Sequence, residues 1–437
     1  MTKSRLVRKD GPNLEIGLYL GLILVALALR LYHLGMEPLS LGESQRAYGA
    51  WQLLHGVAPV SWREPLPALG ATAAIFLFGD SDLTVRLGAA FAGVGLVASV
   101  WLLRPLIGRW GSLAFGLLIA LSPSFIFFSR QVSPAAFATL LSLLLVVFIF
   151  RYRFQPRPSF LYAAAIIWAL LLNSGPMGIT TTAAIVLFAA AAYAFGGGSS
   201  FRRTILGHDE PAPLLPAAFL FVAVFLLVGA GLLINLRGLG FPALRDWAIQ
   251  FNLAPSARPW YYHGSLGLVY EPLVIFLAIM ETMRLFSKRK DSGMQPFLAF
   301  LLLWTLVSFV LLLFTQQKQP EQLASFILPV TLLAGIYLST KLRALDLYPL
   351  IAQGPAVAYL AVLLVVTVLA IGRYGAAIQT MPAYLWLGLI VAWLVAPLLG
   401  FHIPGLFWTK SAGGGLLVLL VVGLLFTVHT SWNANYR

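Results

Sequence analysis

Read as apolar and polar positions, the chain is a succession of long apolar runs separated by short polar ones. Runs of about 17–22 residues match the thickness of a bilayer's hydrocarbon core. They fall near 15–33, 84–103, 111–128, 134–150, 159–173, 177–195, 214–234, 265–283, 295–314, 323–340, 356–373, 383–399 and 414–430. The pattern predicts an all-α polytopic membrane protein with about thirteen transmembrane helices. One further apolar piece, 66–78, is short and ends in Gly79-Asp80-Ser81-Asp82. It is predicted to be a re-entrant or interfacial helix, because counting it as a crossing would place the Lys288-Arg289-Lys290 run outside.

Composition agrees with the pattern. Hydrophobic residues make up 60% of the 437 and charged residues 10%, against about 25% charge in soluble domains. Cysteine is absent, which excludes thiol chemistry, disulfides and thiolate metal sites. The net charge of +14 comes from short basic runs beside helix ends, a topology signal and not a nucleic-acid surface. Residues 1–14 are expected in the cytoplasm, with the chain N-in and C-out in the plasma membrane. The first apolar run carries Arg30 and has no small-residue cleavage site after it, so it reads as a retained helix. Residues 196–213 contain Gly-Gly-Gly-Ser-Ser and read as a flexible connector.

Polar chemistry concentrates in the first outer loop, 34–83, which holds Glu37, Glu43, Arg46, His55, Arg63 and Glu64. Ionisable groups beside membrane spans mark sites when they share a wet chamber. Glu43 is the first candidate for a general base, with Glu64 beside it, because deprotonating a hydroxyl needs a carboxylate within reach. Arg46, three residues after Glu43, also fits a plain salt bridge on one helix face. Arg86, Arg130 and Lys318 stand at outer helix ends and could hold a phosphate, or simply snorkel to the interface. The run 258–273, RPWYYHGSLGLVYEPL, puts Tyr262 and His263 at the start of a span and Glu271 just inside it. An aromatic belt explains the rings equally well, but the buried acid is costlier to explain. No HExxH, Walker loop or paired-carboxylate metal spacing occurs.

Taken together, RLYHLG (30–35), FGDSDLTVRLGAAFAG (78–93), LLIALSPSFIFFSRQ (117–131), RPWYYHGSLGLVYEPL and KQPEQLASFILPVTLLAG (318–335) resemble the GT-C superfamily of membrane glycosyltransferases. That superfamily includes protein mannosyltransferases and aminoarabinose transferases. Within it the chain is most similar to the prokaryotic "flippase activity-associated" family, over about residues 18–340. The resemblance implies a GT-C module over 15–340, with short interfacial helices in loop 34–83, and C-terminal transmembrane helices over 341–437. It implies transfer of a sugar from a polyprenyl-phosphate donor to an acceptor at the extracytoplasmic face, with membrane lipids around it and no nucleic acid.

The chain departs from the family pattern at several places. The family's Asp-Glu pair falls on Gly42-Glu43, so the leading acid, usually taken as the catalytic base, is missing. A family His falls on Arg63, a His-Asp pair on Pro134-Ala135, and a Lys-Glu pair on Gly175-Pro176. The expected site is therefore Glu43 and Glu64 as catalytic acids. Arg46, Arg63, Arg86, Arg130, Tyr262, His263, Glu271 and Lys318 would bind substrate. No metal ligands are assigned and a divalent metal stays open. The departures also leave open a catalytically degenerate subunit that binds lipid or a partner membrane protein. A lipid flippase is disfavoured by the lack of repeats and midplane charges.

Overall fold

The computed structural model describes residues 12–57, 59, 63–205, 212–236, 241–251, 258–288, 295–344 and 412–436. The spans expected at 356–373 and 383–399 lie outside the described residues. Sixteen α-helices and no strand occur among them. They are α1 (Pro12–Leu31), α2 (Leu41–Leu54), α3 (Pro65–Phe78), α4 (Asp82–Ala98), α5 (Arg104–Leu121), α6 (Pro123–Ser129), α7 (Pro134–Phe154) and α8 (Pro158–Leu172). They continue with α9 (Pro176–Ile205), α10 (Leu214–Gly229), α11 (Pro242–Ile249), α12 (Tyr262–Tyr270), α13 (Pro272–Lys288), α14 (Pro296–Phe314), α15 (Leu323–Ala344) and α16 (Ala412–Tyr436). Short 3-10 turns lead from α4 into α5 and into α15.

The helix starts are written in the sequence. Proline, which has no N–H to lose at a helix start, opens α3, α6, α7, α8, α11 and α14. Ser40, Ser81, Ser122 and Ser133 cap α2, α4, α6 and α7 through their hydroxyls, each satisfying an N–H that the first turn leaves open.

Among the described residues, five helical stretches are long and apolar enough to cross a membrane: 82–121, 134–154, 176–194, 296–314 and 320–341. The span expected at 265–283 is broken in the middle. It is two helices, α12 and α13, meeting at 100°, with Glu271 and Pro272 at the break. Proline cannot donate the hydrogen bond that would continue α12. The 14 residues of α3 reach only about 21 Å, short of the roughly 30 Å core. Its last residues, Phe76, Leu77 and Phe78, are all exposed.

The core is apolar and continuous. Phe115 of α5, Leu143 and Leu145 of α7, Leu277 of α13, Trp304 of α14 and Leu332 of α15 are all fully buried within it. Tyr436, at the end of α16, donates to the carbonyl of Leu29 near the end of α1. The C-termini of α1 and α16 therefore lie at one end of the bundle, opposite Pro12. Residues 32–57 and 63–65, with α2 among them, and the starts of α4, α7, α9 and α15 gather at that same end.

Candidate functional site

Glu43 sits in the first turn of α2 and is 3% exposed. Its Oε1 accepts from Arg86 Nε (2.9 Å) and from the Val132 N–H (3.1 Å). Its Oε2 accepts from the Ser40 N–H (3.0 Å) and Arg86 Nη2 (3.1 Å). A carboxylate offers about four lone-pair sites, and all four are taken. Burial alone would raise the Glu43 pKa; Arg86 and the two backbone N–H groups outweigh it and hold the carboxyl below the usual range. Arg86 is equally committed. Its Nη1 donates to the carbonyls of Leu34 (3.0 Å) and Glu37 (2.8 Å), and its Nη2 also reaches Pro38 O (3.3 Å). With the two bonds to Glu43, all five guanidinium donors are used. The pair ties the first loop to α4, and every acceptor site of the Glu43 carboxylate and every donor of the Arg86 guanidinium has a partner.

Arg130 ends α6 and caps the C-terminus of α1. Its guanidinium donates to the carbonyls of Leu29, Arg30, Tyr32 and His33 and lies 4.4 Å from the centre of the Tyr436 ring. A cation at a helix C-terminus completes the open carbonyls there. Lys318 is buried and donates Nζ to Thr315 O (2.7 Å), at the end of α14. Arg130 thus meets four backbone carbonyls and Lys318 one.

A different constellation forms around Arg46, one helical turn after Gly42. Arg46 donates Nε to Glu64 Oε2 (2.8 Å) and Nη2 to Glu64 Oε1 (3.4 Å). Its Nη1 donates to Val132 O (3.0 Å) and stands 3.5 Å from Glu321 Oε1. Burial works against the Arg46 charge, but Glu64 and Glu321 overcome it and raise its pKa. The three side chains are partly exposed, at 26%, 16% and 20%. They come from α2, from the residue capping α3 and from the 3-10 turn before α15. Next to Glu64, Arg63 is 72% exposed and only loosely paired, with Nε 3.8 Å from Asp246 of α11.

The 258–273 segment stands apart from this cluster. Arg258 donates Nη1 to Tyr262 Oη (3.0 Å) and to Lys318 O (2.8 Å). His263 Nε2 lies 3.0 Å from Gln319 O. Glu271 is buried at the α12–α13 break, where its Oε1 accepts from Ser122 Oγ (2.5 Å) and the Ser124 N–H (3.1 Å). Its Oε2 has no partner among the described residues. Glu271 thus pins the start of α6. Beside it lies a largely apolar cavity of about 190 Å³, lined by Ser124, Phe127, Phe128, Leu266, Tyr270 and Ala434 among others. Among the described residues, no three His, Asp or Glu side chains stand together as metal ligands would.

With this geometry in view, likeness to known proteins can be placed. Residues 63–229 match the family model for dolichyl-phosphate-mannose-protein mannosyltransferase. No curated protein matches the chain by sequence. The structure superposes on ArnT from Cupriavidus metallidurans bound to undecaprenyl phosphate. There the TM-score is 0.60 and the identity 14%, over 97% of this chain and 77% of that one. The apo form of the same protein gives a TM-score of 0.59 at 15% identity and the same coverage. The chain has the fold of ArnT. The oligosaccharyltransferase of Archaeoglobus fulgidus, solved as a complex with Zn and sulfate, matches with a TM-score of 0.52 at 14% identity. That match covers 75% of this chain and 49% of that one.

On the GT-C fold the sequence-predicted residues divide into three groups. Glu43, Arg86, Arg130, Glu271 and Lys318 are buried or capped by backbone and hold loops to helix ends. Tyr262 and His263 belong to the second, separate cluster. Arg46, Arg63 and Glu64 come together, and Glu321 joins them from a distant part of the chain. Glu321 is absent from the sequence-predicted site. The available signal was its place in the outer turn TQQKQPEQ, just before a span.

Proposed function

We propose that the chain transfers a sugar from a polyprenyl-phosphate donor to an acceptor hydroxyl at the extracytoplasmic face, and that the Arg46–Glu64–Glu321 cluster carries the reaction. The observation behind this is two partly exposed carboxylates flanking one guanidinium at the loop end of a GT-C fold. Glu321 serves as general base, since Arg46 holds it only by one long contact and Ser133 by its hydroxyl, whereas Glu64 is held twice by the guanidinium. The acceptor oxygen attacks the anomeric carbon and its proton passes to Glu321. The bond from that carbon to the phosphate oxygen breaks, and the polyprenyl phosphate leaves with the electron pair. Arg63, exposed and loosely paired, and Arg46 stabilise the phosphate's charge, where a planar fork suits phosphate oxygens. Glu43 and Arg86 act by holding α2 and the loop in place.

The lipid in the ArnT complex is undecaprenyl phosphate, which supports the donor class. The alternative of a catalytically inert subunit rests on the departures at Gly42, Arg63, Pro134-Ala135 and Gly175-Pro176. The two carboxylates beside Arg46 favour the active reading. The test uses the full chain in nanodiscs with a panel of undecaprenyl-phosphate-linked sugars and hydroxyl acceptors, following undecaprenyl phosphate release by mass spectrometry. Glu321→Gln is expected to lower turnover by about 10²–10⁴-fold, the usual contribution of a general base, with thermal stability little changed. Full turnover by that variant, or none by the unaltered chain with any pairing, overturns the assignment.

A further inference from the structure

The two neighbours of Glu321 in the chain line different hollows. Gln322 borders a small polar cleft with Thr180 of α9 and Trp247 and Gln250 of α11. The same α11 carries Asp246, the loose partner of Arg63. Pro320 borders the apolar cavity of about 190 Å³, together with Leu323 of α15, Phe127 and Phe128 of α6, Leu266 of α12 and Ala434 of α16. The 3-10 turn that holds Glu321 is thus a partition, with Arg63 and α11 toward one side and an apolar hollow on the other. Apolar cavities of about 150 Å³ stay dry and bind groups the size of benzene, so this one has room for an organic group. Polar groups on its wall are few, and Ser124 spends its N–H and its hydroxyl on Glu271. A polar ligand would lose its water there with little in return.

We propose that this cavity seats the apolar body of the acceptor, which makes the acceptor an amphiphilic alcohol, a hydroxyl within a few bonds of an aliphatic or aromatic group. The inference rests on the reaction assigned above and names its acceptor class. In a single displacement the attacking oxygen comes from the face of the sugar opposite the leaving group. The phosphate lies toward Arg63 and α11, so the acceptor approaches Glu321 from the Pro320 side. There its hydroxyl meets the carboxylate while its apolar part fills the cavity, and burial of that part gives binding without a charged contact.

The experiment offers the full chain in nanodiscs two acceptors, octyl β-D-glucoside below its micelle concentration and methyl β-D-glucoside, with the same donor panel. A buried methylene is worth about fourfold in binding, so the octyl compound should show a kcat/KM higher by at least about tenfold, through a lower KM. Ala434→Leu, which narrows the cavity, should remove most of that preference by raising the KM for the octyl compound. Leu266→Ala, which widens it, should shift the preference toward a dodecyl glucoside, and carries the test if Ala434→Leu does not fold. An octyl glucoside with a diazirine on its chain should label peptides of α6 and α12, competed by octyl but not by methyl glucoside; this reads the cavity without turnover. Equal kcat/KM for the two acceptors would overturn the inference. So would a raised donor KM in Ala434→Leu with the acceptor KM unmoved, which would give the cavity to the donor's prenyl chain. Absence of label from α6 and α12 would overturn it as well. Label there with no transfer from any donor would defeat the reaction assigned above, and the acceptor role with it, while leaving an apolar ligand site.

Discussion

Replacing Glu43 by glutamine separates a structural acid from a catalytic one. Oε1 faces two donors, Arg86 Nε and the Val132 N–H, and Oε2 faces two more, the Ser40 N–H and Arg86 Nη2. Either orientation of the amide therefore points its NH2 at two N–H donors. Two hydrogen bonds are lost, and the Arg86 guanidinium, 4% exposed, is left buried without a counter-charge. Breaking a buried pair in this way costs about 3–5 kcal/mol. Replacing both partners, as in Glu43→Gln with Arg86→Met, should recover part of that cost.

The assay is the fraction of monodisperse protein surviving a heat series in detergent, since unfolding of such proteins is a matter of rates. The same pair predicts a pH response. The folded pKa of Glu43 is depressed, so its stabilisation is complete above the ordinary carboxylate value of about 4. It is lost as pH falls through the lower folded value. Acid sensitivity in that window should be weaker in Glu43→Gln. A variant as heat-resistant as the unaltered chain, yet inactive, would refute the structural assignment and return Glu43 to the chemistry.

Two further outcomes follow from the packing. Glu271→Gln should be tolerated within about 1 kcal/mol, because the amide oxygen can still accept from Ser122 and Ser124 while its NH2 takes the place of the unpartnered Oε2. Glu271→Ala, which strands both donors, should lower the surviving fraction clearly in the same heat series. Gly93→Ala should cost about 1–3 kcal/mol by overpacking, because a Cβ there would lie 2.4 Å from Ser129 Cβ and 2.6 Å from Arg30 Nε. Size-exclusion profiles of the expressed protein check it, and a normal folded yield would show that α1, α4 and α6 can separate.

The helices were legible because they follow from local rules. Apolar run length gave the starts of α7, α9, α14 and α15 to within a residue, and proline or serine marked most starts. The 265–283 run shows the limit of that reading. Its composition stays apolar through the break, and only Glu271-Pro272 signals the turn. The proposed site is legible in part. Arg46, Arg63 and Glu64 lie within one loop, so their density showed in the sequence. Glu321 did not stand out, because its partner is far away in the chain and no spacing rule links them. Glu43 attracted attention for the right reason, a charge where charge is costly, but a buried acid can meet that cost by saturation as well as by function. Its capping-box geometry with Ser40 was the readable clue.

The long reach of Arg86, Arg130 and Glu321 has a consequence for biosynthesis. Arg86 grips residues 43–52 positions earlier in the chain, and Arg130 residues 97–101 positions earlier. Glu321 joins Arg46 only after most of the described helices have been made. As the ribosome feeds the chain into the bilayer, the first loop must wait, unclasped, while helix after helix is threaded in behind it. Until α15 arrives, a growing chain holds only one of the two acids that flank Arg46. On the proposed reaction, a newborn copy lacks its base until the segment before α15 has been made.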